Sequence, residues 1–219
     1  MTDIPRIDGP RRAPANDGPA ESLIVFLHGV GADGDDLIAL APYFAEALPG
    51  AAFVSPHAPF PCDMAPMGRQ WFSLLDRSMP ALLDGVRSVQ PILDAFLDAE
   101  LAAAGLTPDR LALVGFSQGT MTSLYAAPRR AAPVAGVVGY SGALIGAETL
   151  ADEASSRPPI LLVHGEADPV VPFAAMGAAH QALTAAGFET KAMARPGLPH
   201  SIDPEGIASG TAFLKQVLG

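Results

Sequence analysis

Short, unbroken apolar runs alternate along this chain with longer stretches of helical period, and that alternation limits the architectures open to it. The runs occupy residues 23–27, 52–54, 111–114, 134–138 and 160–163. A strand that is apolar at every position has no face for water, so such runs suit a sheet covered on both sides. Between them, the clearest helical pattern places Leu82, Val86, Val89, Leu93, Phe96, Leu97 and Leu101 on one face and stops at Gly105. Further helical stretches fall at 35–48, 118–127, 176–186 and 204–218. The alternation predicts an α/β fold with right-handed crossovers, a mostly parallel central sheet and helices on both faces. At 219 residues with 49% hydrophobic content, the chain is expected to form one domain over 1–219. Residues 1–19 form a Pro-rich N-terminal segment expected as an edge strand or hairpin.

Charge narrows the range of partners. The net charge is −10, from 23 acidic against 13 basic residues, and the only adjacent arginines are Arg11-Arg12 and Arg129-Arg130. Counterion release from a nucleic acid needs clustered cations, so no nucleic-acid partner is expected. The same deficit opposes docking on an anionic membrane, and the weakly apolar stretch 131–147 is interrupted by Pro133 and glycines, so no stable membrane insertion is expected. The single cysteine, Cys62, excludes an internal disulfide, and residues 1–19 lack an apolar signal-peptide core; both agree with a cytoplasmic protein.

The chemistry concentrates at strand ends. Gly115-Phe116-Ser117-Gln118-Gly119 follows one apolar run and opens a helical stretch. In a nucleophile elbow the serine occupies a tight strand-to-helix turn, and glycines on either side let strand and helix pack closely. Gly139-Tyr140-Ser141-Gly142-Ala143 also follows a strand, but it lacks the last glycine and leads into no clear helix, so Ser141 reads as structural or as a pocket-wall residue.

A serine hydroxyl needs a base to take its proton, and histidine, with an unperturbed pKa of about 6.5, is suited to that task at neutral pH. Of His28, His57, His164, His180 and His200, only His200 follows both the serine and an acid in a loop before the final helix. The acid is expected at Asp168, in the loop after the run 160–163 and just before Pro169-Val170-Val171-Pro172; Glu166 is its rival and reads as a surface carboxylate. The oxyanion of a tetrahedral intermediate needs two preorganised N–H donors. Gln118, next to the nucleophile, and Val30, in the turn His28-Gly29-Val30-Gly31, are the candidates. No metal or cofactor is called for.

These motifs, from Phe26-Leu27-His28-Gly29-Val30-Gly31 through the serine pentapeptide to His164-Gly165-Glu166-Ala167-Asp168-Pro169-Val170-Val171-Pro172 and Pro199-His200, resemble the phospholipase/carboxylesterase family of α/β-hydrolases, which includes acyl-protein thioesterases and small bacterial carboxylesterases. The resemblance implies an α/β-hydrolase fold without a separate cap domain, no cofactor, a small-molecule ester substrate, and in many members a homodimer. It implies Ser117, Asp168 and His200 as the triad, with Val30 and Gln118 at the oxyanion hole. Gly68-Arg69-Gln70-Trp71-Phe72 resembles the family segment beside the acyl site.

Residues 57–80, Pro-rich and without a clean period, form a long loop of the kind that usually carries function, although its aromatics would also serve simply to pin it down. Met64, Trp71 and Phe72 from this loop, with Leu144 and Ile145 beyond Ser141, are the expected wall of an acyl pocket. The expected reaction is hydrolysis of short- to medium-chain carboxylic esters through an acyl-serine. Thioester or lysophospholipid hydrolysis is the alternative, and a non-catalytic scaffold or a peptidase is less consistent with an intact set of motifs and a chain this short.

Overall fold

A computed structural model describes residues 5–219; the first four residues of the N-terminal segment lie outside the described part. The elements run β1 (Arg11–Arg12), β2 (Ser22–Leu27), α1 (Gly34–Leu37), α2 (Ala41–Ala45), β3 (Ala51–Val54), β4 (Phe60–Pro61), β5 (Arg69–Gln70), α3 (Met79–Ala104), β6 (Leu111–Phe116) and α4 (Gln118–Arg129). They continue as β7 (Gly136–Tyr140), α5 (Leu150–Glu153), β8 (Ile160–Gly165), α6 (Ala174–Ala185), β9 (Thr190–Arg195) and α7 (Pro204–Leu218).

The main sheet has the order β1-β3-β2-β6-β7-β8-β9 and is parallel except at β1, which pairs antiparallel with β3 at one edge. Alternation along the strands explains the apolar runs. Leu23, Val25 and Leu27 point to one face, where they meet Val86, Val89, Leu93 and Leu97 of α3 together with residues of α4 and α6. Ile24 and Phe26 point to the other face, against Phe44 of α2 and Phe213 and Leu214 of α7. No helix among the described residues is long and apolar enough to cross a membrane.

The strand order positions the site. The chain leaves β2, builds β3 on one side, and then crosses to β6 on the other. The carboxyl ends of β2 and β6 therefore lie side by side at a topological switch point, where a crevice opens in folds of this kind. β6 ends just before Ser117, and β2 just before the loop containing Val30.

Local differences from the sequence expectation have physical causes. The stretch 35–48 is not one helix but α1, a turn of 3-10 helix at Ile38–Leu40, and α2, with Pro42 at its start. β7 begins at Gly136 rather than Val134, after Pro133 and the adjoining turn. In α3, Pro91 lies inside the helix on an exposed position, and the helix runs through it to end at Gly105, φ +67.

One close approach fixes the junction of β2, β6 and α4. A Cβ on Gly119 would overlap the Leu27 carbonyl oxygen, and one on Gly115 would lie 2.5 Å from the Thr120 nitrogen. Gly177, exposed in α6, has nothing within 4 Å of such an atom. The same glycine-to-alanine change should therefore act with opposite sign at the two places. Gly119→Ala is expected to cost upwards of about 4 kcal/mol and to deplete folded protein, whereas Gly177→Ala is expected to stabilise by about 0.5–1 kcal/mol, both read by urea denaturation.

Candidate active site

Ser117 occupies the turn between β6 and α4 with φ 55 and ψ −115, a left-handed conformation that costs a non-glycine residue of order 1–3 kcal/mol. Its own N–H is tied to the Tyr140 carbonyl of the neighbouring strand at 2.9 Å. The turn directs Oγ to His200, whose Nε2 is 3.0 Å away. His200 Nδ1 in turn faces Asp168 Oδ2 at 2.7 Å. Because the carboxylate is an acceptor, Nδ1 carries the proton and Nε2 is left with a lone pair toward the serine. The Phe116 ring, 4.8 Å from the imidazole centroid, packs beside it.

Asp168 is shielded from solvent, and burial alone would push its carboxyl pKa up. The hydrogen bond from His200 and the Val171 and Val170 N–H donors to Oδ1, at 2.9 and 2.8 Å, outweigh that penalty, so the net shift is downward. Glu166 is exposed. His57 and His180 lie outside this constellation: His57 Nδ1 accepts from the Gly34 N–H at 3.1 Å, and His180 Nε2 meets the Thr190 carbonyl at 3.2 Å. Ser141, with φ 48, is buried and its Oγ has no hydrogen-bond partner among the described residues.

The two expected oxyanion donors come from neighbouring strand ends. Gln118 is the first residue of α4, where backbone N–H groups have no intrahelical acceptor and the helix dipole favours negative charge. Val30 is half-buried in the turn after β2, and neither N–H is hydrogen-bonded to an acceptor among the described residues. Proximity follows from Gly29, where a Cβ would sit 3.3 Å from the Ser117 Cβ.

A network that sequence reasoning missed holds this turn in place. His28, fully buried, accepts the Ala58 N–H at Nε2 (3.0 Å) and donates from Nδ1 to the Gly29 carbonyl (2.8 Å). Burial lowers its pKa, which agrees with a neutral ring in those roles. Gly31 N–H donates to the Arg69 carbonyl and Arg69 N–H to the Ala32 carbonyl, at 2.9 and 2.8 Å, so the β4–β5 hairpin is stitched directly to the turn. The Gln118 side chain accepts from the Trp71 N–H at 2.9 Å and donates to the Phe72 carbonyl at 2.7 Å. No local signal marks these bonds, since Gln118 and Trp71 are 47 positions apart.

The expected pocket residues divide. Trp71 and Phe72 are buried, at 0% and 2% exposure, and so support the site from behind instead of lining it openly; the indole N–H donates to the His28 carbonyl at 2.9 Å. Ile145 is likewise in the core, Leu144 is half-buried against it, and Met64 is 46% exposed on the hairpin loop. The one group of metal-ligating side chains among the described residues is Asp33, Asp35 and His57, where Asp33 caps α1 and His57 is already hydrogen-bonded to the same turn.

Two expectations follow from these bonds. Trp71→Phe leaves the buried His28 carbonyl without its donor and should cost about 1–3 kcal/mol in urea denaturation; an unchanged midpoint would show that the bond contributes nothing. The lowered Asp168 pKa means that its stabilisation is present above the ordinary carboxylate value of about 3.9 and is lost as pH falls through the folded value. The difference in melting temperature between the parent protein and Asp168→Asn should thus be widest near pH 7 and narrow toward pH 3, and a gap independent of pH would assign it to something other than the charge.

Residues 12–218 match the family model described as Phospholipase/Carboxylesterase. Esterase YpfH of Escherichia coli is 30% identical over 198 residues, covering 85% of this chain and 79% of the relative. Acyl-protein thioesterase 1 of Gibberella zeae is 28% identical over 214 residues, with 90% and 91% coverage. The crystal structure of esterase PE8 superposes with a TM-score of 0.92 at 39% identity, covering 97% of this chain and 99% of that one. With that sequence match across nearly its whole length and an α/β-hydrolase sheet beneath the site, the chain belongs to the phospholipase/carboxylesterase family and is a carboxylic ester hydrolase.

Proposed function

We propose that the chain works as one α/β-hydrolase domain that hydrolyses short- to medium-chain carboxylic esters through an acyl-serine, with Ser117 as nucleophile. The observation that carries this reading is the unbroken relay from Ser117 Oγ through His200 to Asp168, at 3.0 and 2.7 Å.

In the first half-reaction Oγ attacks the ester carbonyl while His200 Nε2 takes its proton. The carbonyl oxygen becomes an oxyanion facing the N–H groups of Val30 and Gln118. Collapse breaks the bond to the alkoxy oxygen, which leaves as an alcohol with the proton from His200. In the second half a water gives its proton to His200, attacks the acyl carbon, and releases the acid as Oγ regains its proton. Asp168 holds the tautomer this sequence needs and stabilises the imidazolium without itself taking the proton.

The apolar character of the surroundings supports an uncharged acyl group. Met64 and Met67, the latter 80% exposed, project from the hairpin loop that is stitched to the Val30 turn, and Leu75 farther along the same excursion is 73% exposed. That exposed apolar stretch also favours the second reading, a long-chain acyl thioester or lysophospholipid, to which the thioesterase name of one relative also points.

Ser117→Ala is expected to lower turnover by at least about 10⁴-fold while leaving the melting temperature nearly unchanged. Hydrolysis of p-nitrophenyl esters from acetyl to palmitoyl, with this variant as blank, decides the acyl class. A maximum at short chains supports the ester reading, a maximum at long chains the second, and no serine-dependent turnover refutes both.

A further inference from the structure

His164 is a buried histidine that the relay leaves unused. It lies near the end of β8, four residues before Asp168 and 2% exposed. Its Nε2 is 2.9 Å from the Val171 carbonyl and 3.2 Å from Asp168 Oδ2, the same oxygen that receives His200 Nδ1. Both neighbours of Nε2 are acceptors, so that nitrogen carries a proton, which is bonded to the Val171 carbonyl with Asp168 Oδ2 in polar contact beside it. The Phe173 ring stands edge-on to the imidazole at 6.1 Å, and Thr120, Met176 and Ala179, which border the same small space, are uncharged. Among these neighbours Asp168 is the only charged group, with His200 across its carboxylate and Glu166 out in solvent.

We infer that His164 is a positioning residue for the hydrolysis, fixing the Asp168 carboxylate so that Oδ2 meets His200. The inference rests on the triad reading above. The two backbone donors from Val170 and Val171 hold only Oδ1, and a carboxylate held at one oxygen can still turn about that contact. From the end of β8, His164 bonds the Val171 carbonyl, which closes the 168–171 loop that carries those backbone donors, and the same bond sets the imidazole beside Oδ2 at 3.2 Å. The carboxylate thus has three hydrogen-bond donors, and two of them sit on the loop that His164 closes. Fixed supporting partners of this kind set the orientation of reactive imidazoles, and in metal sites their loss costs about 10–100-fold.

The test contrasts two amides of similar size but different reach. Asn at position 164 places its amide near the Nδ1 position and falls short of Asp168, whereas Gln extends its amide toward the Nε2 position. His164→Asn should lower kcat about tenfold or more with little change in KM. His164→Gln should recover most of the lost kcat, and His164→Asn should add nothing in an Asp168→Asn background. Equal activity of the Asn and Gln variants, a loss carried by KM and not kcat, or a full additional loss in that background would each overturn the inference. Nitrogen-15 NMR of the unmutated protein supplies a check that needs no variant. His164 should be protonated at Nε2, and a proton on Nδ1 alone would also overturn the inference. Full activity of Ser117→Ala or Asp168→Asn would instead refute the triad reading itself.

Discussion

The contact on which this structure depends is the approach of the first turn of α4 to the end of β2. It brings a helix N-terminus, with its unpaired N–H groups, against a strand end and its following turn, and only glycine at position 119 permits that distance. Because β2 and β6 are adjacent across the switch point, the same contact places Ser117 beside the Val30 turn. The left-handed backbone of Ser117 is the cost of this geometry, and it persists because β6, β7 and α4 constrain the residue from three directions.

Around that contact the fold uses polar bonds where packing alone would leave the turn free to move. The Val30 turn carries no apolar side chain in the core, yet it is fixed by His28, Trp71 and the backbone of Arg69. The residues that reach the turn and its His28, namely Ala58, Arg69 and Trp71, all come from 58–71, so the long excursion between β3 and α3 braces the turn. The Gln118 side chain makes the same connection from the opposite side, holding Trp71 and Phe72 while its N–H remains free. One residue thereby links the helix start, the serine turn and the excursion.

What could be read from the sequence was what local pattern encodes. The buried strands of β2, β3, β6 and β8 announced themselves as continuous apolar runs, and α3 by the face containing Val86, Leu93 and Leu97, which is the face that packs on the sheet. The elbow was legible because strand, serine, glycines and helix are contiguous. The two-residue strands β4 and β5 were not, since so short a segment shows no period and is defined by its partner across the ladder. Nor was the burial of Trp71. An aromatic in a Pro-rich loop reads equally as wall or anchor until its indole N–H is seen to meet the His28 carbonyl.

The acid loop shows why contacts distant in sequence matter electrostatically. A carboxylate as buried as Asp168 would ordinarily favour its neutral form, and a neutral acid cannot fix the His200 tautomer. Backbone donors at 170 and 171 and the His200 imidazole reverse that preference by solvating the charge with protein groups in place of water. The donors differ in what they require. Val170 and Val171 depend on the turn made by Pro169 and Pro172, which His164 ties to the end of β8, and His200 depends on the loop before α7. An ionised Asp168 is therefore possible only when all three segments are in register, which makes the charge itself a consequence of the completed fold.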